Sequence, residues 1–206
     1  MKKISLCSLI SLFCFPLFLS AQEAKEKKDT VKTKELTFDM VMEALSNQAK
    51  KVEDKVKAKL SVGSEAPDFK YPDIEGNIYS LKDFKGKYVY IDVWATWCGP
   101  CCKEIPSLKK LEKKMEKKKI VFVSLSCDKD VAVWKKMVAK DTLGGVQLCM
   151  GKDMKFRDAY GITAIPRFIL WDKDGKIVNV YMTPPSDPRT EKTLRALPGI
   201  CTSFHS

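Results

Sequence analysis

An α/β fold, one domain built on a mixed central β-sheet flanked by helices, is predicted by two features of the chain. From Lys87 onward, apolar strand-like runs alternate with helical patterns and close with a hairpin and a last helix, with no internal repeat. Within that series "YVYIDVWA", Tyr88 to Ala95, is apolar on both faces apart from Asp92, the pattern of a central strand covered on both sides.

The chain opens "MKKISLCSLISLFCFPLFLSAQ": Lys2 and Lys3, an apolar stretch from Ile4 to Leu19, then small Ser20 and Ala21. Residues 1–21 read as a secretory signal peptide cleaved after Ala21. An apolar stretch of about 16 residues broken by Pro16 is short against the roughly 20 that a spanning helix needs. Residues 22–61 read as a charged linker and an amphipathic helix. Lys, Glu, Asp and Thr fill the segment from Gln22 to about Glu35, which is expected to be disordered. Phe38, Val41, Leu45, Ala49, Val52, Val56 and Leu60 then recur at spacings of three and four, predicting a helix from about Thr37 to Leu60. Its apolar stripe suits docking on the main domain, with a coiled coil pairing two chains as the alternative. A run of little more than three heptads favours docking, and the oligomeric state stays open.

Residues 62–206 read as the main domain. "VGSEAPDFKYPDIEGNIYSLKDFKGK" holds two short strand pieces around the turn Glu75-Gly76-Asn77, an N-terminal β-hairpin. Next come strand Tyr88 to Ala95, helix Cys98 to about Lys118, strand Ile120 to Ser126, helix Val131 to Lys140 and strand Val146 to Met150. A short helix, Met154 to Tyr160, precedes strand Arg167 to Trp171. The Asp174-Gly175 turn leads into strand Lys176 to Tyr181, and a helix from about Arg189 to Leu197 ends the pattern.

The net charge of +11 falls to +9 without Lys2 and Lys3. Much of it lies in lysine runs such as "KKLEKKMEKKK" that read as solvated helix faces. No recognition helix or aromatic-interleaved basic stripe accompanies them, so no nucleic-acid partner is expected. Attraction to acidic partners or anionic membrane surfaces is nonspecific.

Export implies an oxidising compartment, the periplasm or cell envelope, where thiols tend to pair. Once Cys7 and Cys14 leave with the leader, Cys98, Cys101, Cys102, Cys127, Cys149 and Cys201 remain. Six cysteines are too few for a small disulfide scaffold, and a chain of this length buries a core without staples, so they need a chemical explanation. "DVWATWCGPCCKEIP" places three of them where strand gives way to helix. Cys98 at a helix N-terminus meets free N–H groups and the positive end of the dipole, which lower a thiol's pKa and populate the attacking thiolate. Cys101, one turn in, is within bonding reach of Cys98 and more buried. Cys98 then attacks a substrate disulfide and Cys101 displaces the reduced substrate from the mixed disulfide. Asp92, six positions before Cys98 on the buried strand, is expected to have a raised pKa and to exchange a proton with Cys101. Glu104, on the same helical face as Cys101, is a candidate to share that task. Pro106 interrupts the helical pattern and predicts a kink.

"WCGPC" behind the strand carrying Asp92, "GITAIPRFILWDKDGKI" downstream and the opening "VGSEAPDF" resemble the thioredoxin superfamily, and with the leader are most similar to its exported TlpA/ResA-like thiol-disulfide oxidoreductases. The resemblance covers roughly Val62 to Pro198. It implies a thioredoxin-like fold, a cis Ile165-Pro166 peptide beside the cysteines, and backbone pairing of Ile165 with an extended substrate segment. It further implies substrate contacts at Trp97, Gly99, Pro100, Ile165 and Pro166, and proton handling at Glu104. Disulfide-bonded proteins are the implied substrates and a membrane thiol carrier the implied electron donor, with no cofactor and no metal.

Cys102 departs from the family, where a basic or polar residue is usual. It creates a C-x-x-x-C spacing from Cys98 that resembles copper-binding Sco-like proteins, whose distant histidine ligand has only His205 as a counterpart. A peroxiredoxin reading has "APDF" and "TWC" in its favour but lacks the Pro-x-x-x-Thr-x-x-Cys approach, and its resolving cysteine would be too close. A non-catalytic envelope binding module is disfavoured by the presence of the couple, Asp92 and Ile165-Pro166 together. Cys127 and Cys149 end two neighbouring strands near the sheet edge and are expected to be small buried hydrophobes, since parallel neighbours rarely meet disulfide geometry. Cys201 reads as unpaired.

Overall fold

The computed structural model describes residues 37–200. The leader read over 1–21, the linker from Gln22, Cys201 and His205 lie outside the described residues.

Helix α1 (Phe38–Lys59) follows the three-and-four spacing of its apolar residues. Only the C-terminal part of that stripe is covered: Val56 and the following Leu60 are buried and Val52 packs against the same cluster, while Phe38, Met42 and Leu45 are exposed. The docking point is Gly161, whose φ of +56° favours glycine and where any Cβ would collide with Val56 Cγ2.

Strands β1 (Tyr71–Pro72) and β2 (Ile78–Tyr79) pair antiparallel as the expected hairpin. Its turn is closed by Asp73, whose Oδ1 accepts the N–H groups of Glu75, Gly76 and Asn77 at 2.8–2.9 Å. A 3-10 helix, Leu81–Phe84, follows; its capping box between Ser80 and Asp83 was legible in "SLKD" but not predicted.

The main sheet has the order β5-β4-β3-β6-β7. Strands β3 (Tyr88–Trp94), β4 (Ile120–Ser126) and β5 (Val146–Cys149) are parallel, while β6 (Arg167–Trp171) runs antiparallel to β3 and β7 (Ile177–Asn179) antiparallel to β6. Every residue of β3 is buried, as its double-sided apolar pattern requires. Helices α2 (Gly99–Met115), α3 (Val131–Asp141), α4 (Lys155–Ala159) and α5 (Pro188–Arg195) make this a mixed sheet flanked by helices, the thioredoxin-like fold expected. Tyr88 and Tyr90 of β3 join Leu108, Leu111 and Met115 of α2 and Leu194 of α5 in one apolar cluster. Val89, Ile91 and Val93 join Trp134 of α3 and Phe156 of α4 in a second. Alternation along β3 therefore sends Asp92 to the α2 side with Tyr90. α2 runs as one helix through Pro106, which removes the N–H that would have reached the Cys102 carbonyl. β7 is shorter than predicted; Asn179 ends it by accepting the Tyr181 N–H on its own side chain.

If α1 is held through its last two turns, Leu60→Ala should lower the stability of the oxidised chain by about 2 kcal/mol, the low end for a buried leucine. Urea unfolding measures this, and Leu45→Ala, on the uncovered part of the stripe, should change the midpoint little.

Candidate active site

β3 ends at Trp94, and a four-residue turn delivers Cys98 as the N-cap of α2. Pro100 sits in the first turn, where its missing N–H costs nothing and its fixed φ suits a helix start. Cys98 and Cys101 are joined by a disulfide with their Cα atoms 5.2 Å apart. Cys98 Sγ also accepts the Cys101 backbone N–H at 3.2 Å. When the bridge opens, that N–H and the helix dipole favour negative charge on Cys98 rather than on Cys101. Both cysteines are nearly covered, at 5% and 3% exposure, yet Trp97 is 69% exposed and Gly99 and Pro100 are open to solvent. Both sulfurs thus lie beneath an exposed rim formed by Trp97, Gly99 and Pro100.

The turn that presents Cys98 is held by a residue the sequence reading missed. Asp128, 3% exposed, accepts the Thr96 N–H at 2.9 Å, the Thr96 hydroxyl at 2.7 Å and the Ser126 hydroxyl at 2.7 Å. Cys127 adds its own N–H to the Trp94 carbonyl at 2.9 Å. The end of β4 therefore clamps the end of β3. The only hint was an aspartate where "SLSCD" leaves the strand, which by itself reads as an ordinary loop residue.

Asp92 lies on the α2 side of β3, in a narrow cavity shared with Ile105, Leu108 and Glu112 of α2 and with Ser124 and Gln147. On α2 these residues continue the stripe begun by Cys101, at steps of four, seven and eleven. Burial pushes the Asp92 carboxyl up to about 8, with the negative charges of Glu104 and Glu112 adding to the shift. Glu112, which sits inside a lysine run read as a solvated face, is the exception to that reading. Burial pushes its carboxyl up to about 7, opposed by Lys109. Glu104 does not line the cavity. Its two oxygens accept the N–H and hydroxyl of Ser186 at 2.9 and 2.8 Å, tying α2 to the loop before α5.

The Ile165-Pro166 peptide is cis. Arg167 stands opposite Val93 in the antiparallel register of β6 and β3, so residues 166 and 165 run on toward the end of β3 that leads to Cys98. Ile165 packs against the apolar cluster that contains both cysteines. Cys102 is half-buried and points elsewhere, its Sγ 3.7 Å from the Thr96 carbonyl. Burial, followed by the charges of Asp141 and Asp128, raises its thiol, and burial likewise raises Cys127 and Cys149. All three are free thiols, and Cys127 and Cys149 are buried, as expected of small hydrophobes. Among the described residues no group of three or more His, Cys, Asp or Glu side chains is arranged to hold a metal ion.

With this geometry in hand, comparison with known proteins finds that the Redoxin family matches residues 61–197. Thiol-disulfide oxidoreductase ResA of Bacillus anthracis is 36% identical over 142 residues, 68% of this chain and 81% of that protein. The thioredoxin domain of a thiol-disulfide oxidoreductase from Bacteroides vulgatus is 34% identical, covering 66% of this chain and 96% of that one, with a TM-score of 0.60. A solution structure from the same organism is 59% identical over 65% of this chain and 88% of that one, with a TM-score of 0.59.

Two outcomes follow from the site. Asp92 and Glu112 bind protons more tightly folded than unfolded, so stability should fall as pH rises from about 4 to about 8 and level off above. Asp92→Asn should flatten that fall and leave the variant more stable than the parent at pH 9, as read by urea unfolding across pH. Cys102→Ser should retain most turnover, because a thiol raised by burial and aimed at Thr96 competes poorly for Cys98; mass mapping should still show Cys98 joined to Cys101.

Proposed function

Because the chain belongs to the Redoxin family and is a thiol-disulfide oxidoreductase, we propose that it is exported to the cell envelope and reduces disulfides in proteins there, with Cys98 as nucleophile and Cys101 as resolving thiol. The observation that carries this reading is the Cys98–Cys101 bridge at the start of α2, with Cys98 Sγ receiving a helix N–H beneath an exposed rim. Export rests on Lys2 and Lys3, the apolar stretch after them and the small residues at 20 and 21.

In the reduced protein the Cys98 thiolate attacks a substrate disulfide, forming a mixed disulfide and releasing one substrate thiolate. Cys101 gives its proton to the Asp92 carboxylate and attacks Cys98 Sγ. The Cys98–substrate bond breaks, the second substrate sulfur leaves as thiolate, and the protein is left with the Cys98–Cys101 disulfide. Two electrons have passed to the substrate, and a thiol carrier in the membrane returns them. The cysteine pair carries both electrons, so no cofactor is used. Trp97, Gly99 and Pro100 form the rim the substrate chain crosses, and Ile165 with Pro166 offers backbone for it to pair with. Resemblance to TlpA/ResA-like proteins points to cytochrome c maturation and general envelope redox homeostasis as settings.

Reduction of insulin with dithiothreitol as donor tests the chemistry: Cys98→Ser should abolish it, and Cys101→Ala expressed in the envelope should accumulate substrates bonded to Cys98. The Gly99-Pro100 pair, shared with thioredoxin, supports a potential nearer roughly −270 mV than roughly −120 mV. A redox titration giving more than about −180 mV would assign the protein to disulfide isomerisation or oxidation instead.

A further inference from the structure

Glu112 belongs to two surfaces at once. Inward, it lines the cavity of Asp92; outward, it lines an open surface groove with Lys109, Lys113 and Glu116. Its Oε1 is buried and has no hydrogen-bond partner, and neither has Gln147 Oε1 in the same cavity. Lys109, one turn back, is turned to the Asp141 carbonyl. Buried acceptors left unpaired are costly, and two of them beside a carboxyl in one cavity call for a shared proton or a water. The cavity, about 10 Å³, is at the lower bound for one water, which needs two to four polar partners; Asp92, Glu112 and Gln147 supply three.

We propose that Glu112 is the proton outlet of the redox site, a positioning residue that relays the proton between Asp92 and solvent through one water in the cavity they share. This rests on the reading that Cys101 resolves the mixed disulfide by handing its proton to Asp92. Asp92 is buried, at 7% exposure, so a proton it has accepted needs a route out before the next turnover. It passes to the cavity water as that water gives one to the Glu112 carboxylate. Glu112 then releases its proton into the groove, and both carboxylates are restored. No electrons move in these steps. Burial raises the Glu112 carboxyl to about 7, so it exchanges its proton near neutrality, which suits a group that both takes and gives up a proton there.

The titratable groups that face Asp92 come almost wholly from α2: Cys102, Glu104, Lys109 and Glu112. Its own strand contributes Tyr90, whose hydroxyl is bonded to the Thr183 carbonyl. The neighbouring β4 and β5 present uncharged Ser124 and Gln147, and β6 places Phe168 opposite it. Lys109 and Glu112 both line the cavity and the outer groove, but the Lys109 ammonium is bonded to the Asp141 carbonyl, which leaves Glu112, with its unpartnered buried oxygen, as the carboxyl that joins the two.

Glu112→Gln in the full-length protein tests the relay, with two readouts: single-turnover release from the mixed disulfide with a chromogenic disulfide across pH, and carbon-13 NMR titration of the Asp92 carboxyl in the reduced state. Release should slow about five- to tenfold, less than the loss of a directly acting acid-base group, while formation of the mixed disulfide by Cys98 keeps its rate. The Asp92 titration should move to lower pH, because a negative neighbour is gone. Gly144→Ala is the second variant: its Cβ would collide with Glu112 Oε2, displacing the carboxyl without removing a charge, and release should slow again. Unchanged release in both variants would overturn the relay, as would a shifted Asp92 titration with no change in release. A parent protein that reduces no disulfide, or an Asp92→Asn variant that releases at the parent rate, would instead overturn the reading on which the relay rests.

Discussion

A carboxyl on a strand covered on both faces has no bulk water to solvate its charge, so Asp92 in the middle of β3 holds a proton far above the usual carboxylate range and exchanges it near neutrality. Its position is not adjustable. The pleat that sends Val89, Ile91 and Val93 into one cluster sends Tyr90 and Asp92 against α2, and a one-residue slip would exchange the two sets. The same strand, by ending at Trp94, decides where α2 begins and hence where the Cys98 sulfur meets helix N–H groups. The buried carboxyl and the sulfur that caps α2 are thus two readings of one register.

The turn between them is held from the neighbouring strand. Asp128 gathers three hydrogen bonds from Thr96 and Ser126, so the parallel pairing of β3 with β4 is transmitted to the residues that present Cys98. A loop bearing a reactive sulfur is thereby as well fixed as the sheet it leaves, while Trp97 within it stays exposed. On the opposite side Glu104 and Ser186 tie α2 to the segment before α5, holding the helix from its other flank.

The main sheet, its five strands and the order of helices were legible because periodicity reports which side of each element is covered, and here nearly every element obeys it. The Cys98–Cys101 pair and Asp92 were legible because each breaks a local pattern: thiols at a strand–helix boundary, a lone charge in an apolar run. Asp128 and Glu112 were not, since each looks ordinary in one dimension. An aspartate after a strand and a glutamate among lysines are what solvent-facing segments contain, and only the crossing of β4 beneath Thr96, or of the Gly144 backbone against α2, takes them out of water. α1 was half legible: its stripe marked a helix, but spacing does not tell how much of the stripe the sheet covers.

Among the described residues three thiols stand besides the redox pair, Cys127 and Cys149 buried and Cys102 half-buried, and cover, not any lack of intrinsic reactivity, keeps them free. Cys127 Sγ donates to the Trp94 carbonyl and Cys149 Sγ to the Asp128 carbonyl, contacts that exist only once β3, β4 and β5 are side by side. Before assembly they are ordinary thiols, free to form crosslinks that block the sheet. In any oxidising compartment the order of events then matters: the sheet has to close before the sulfurs meet an oxidant, so architecture acts as its own chaperone against wrong bonds.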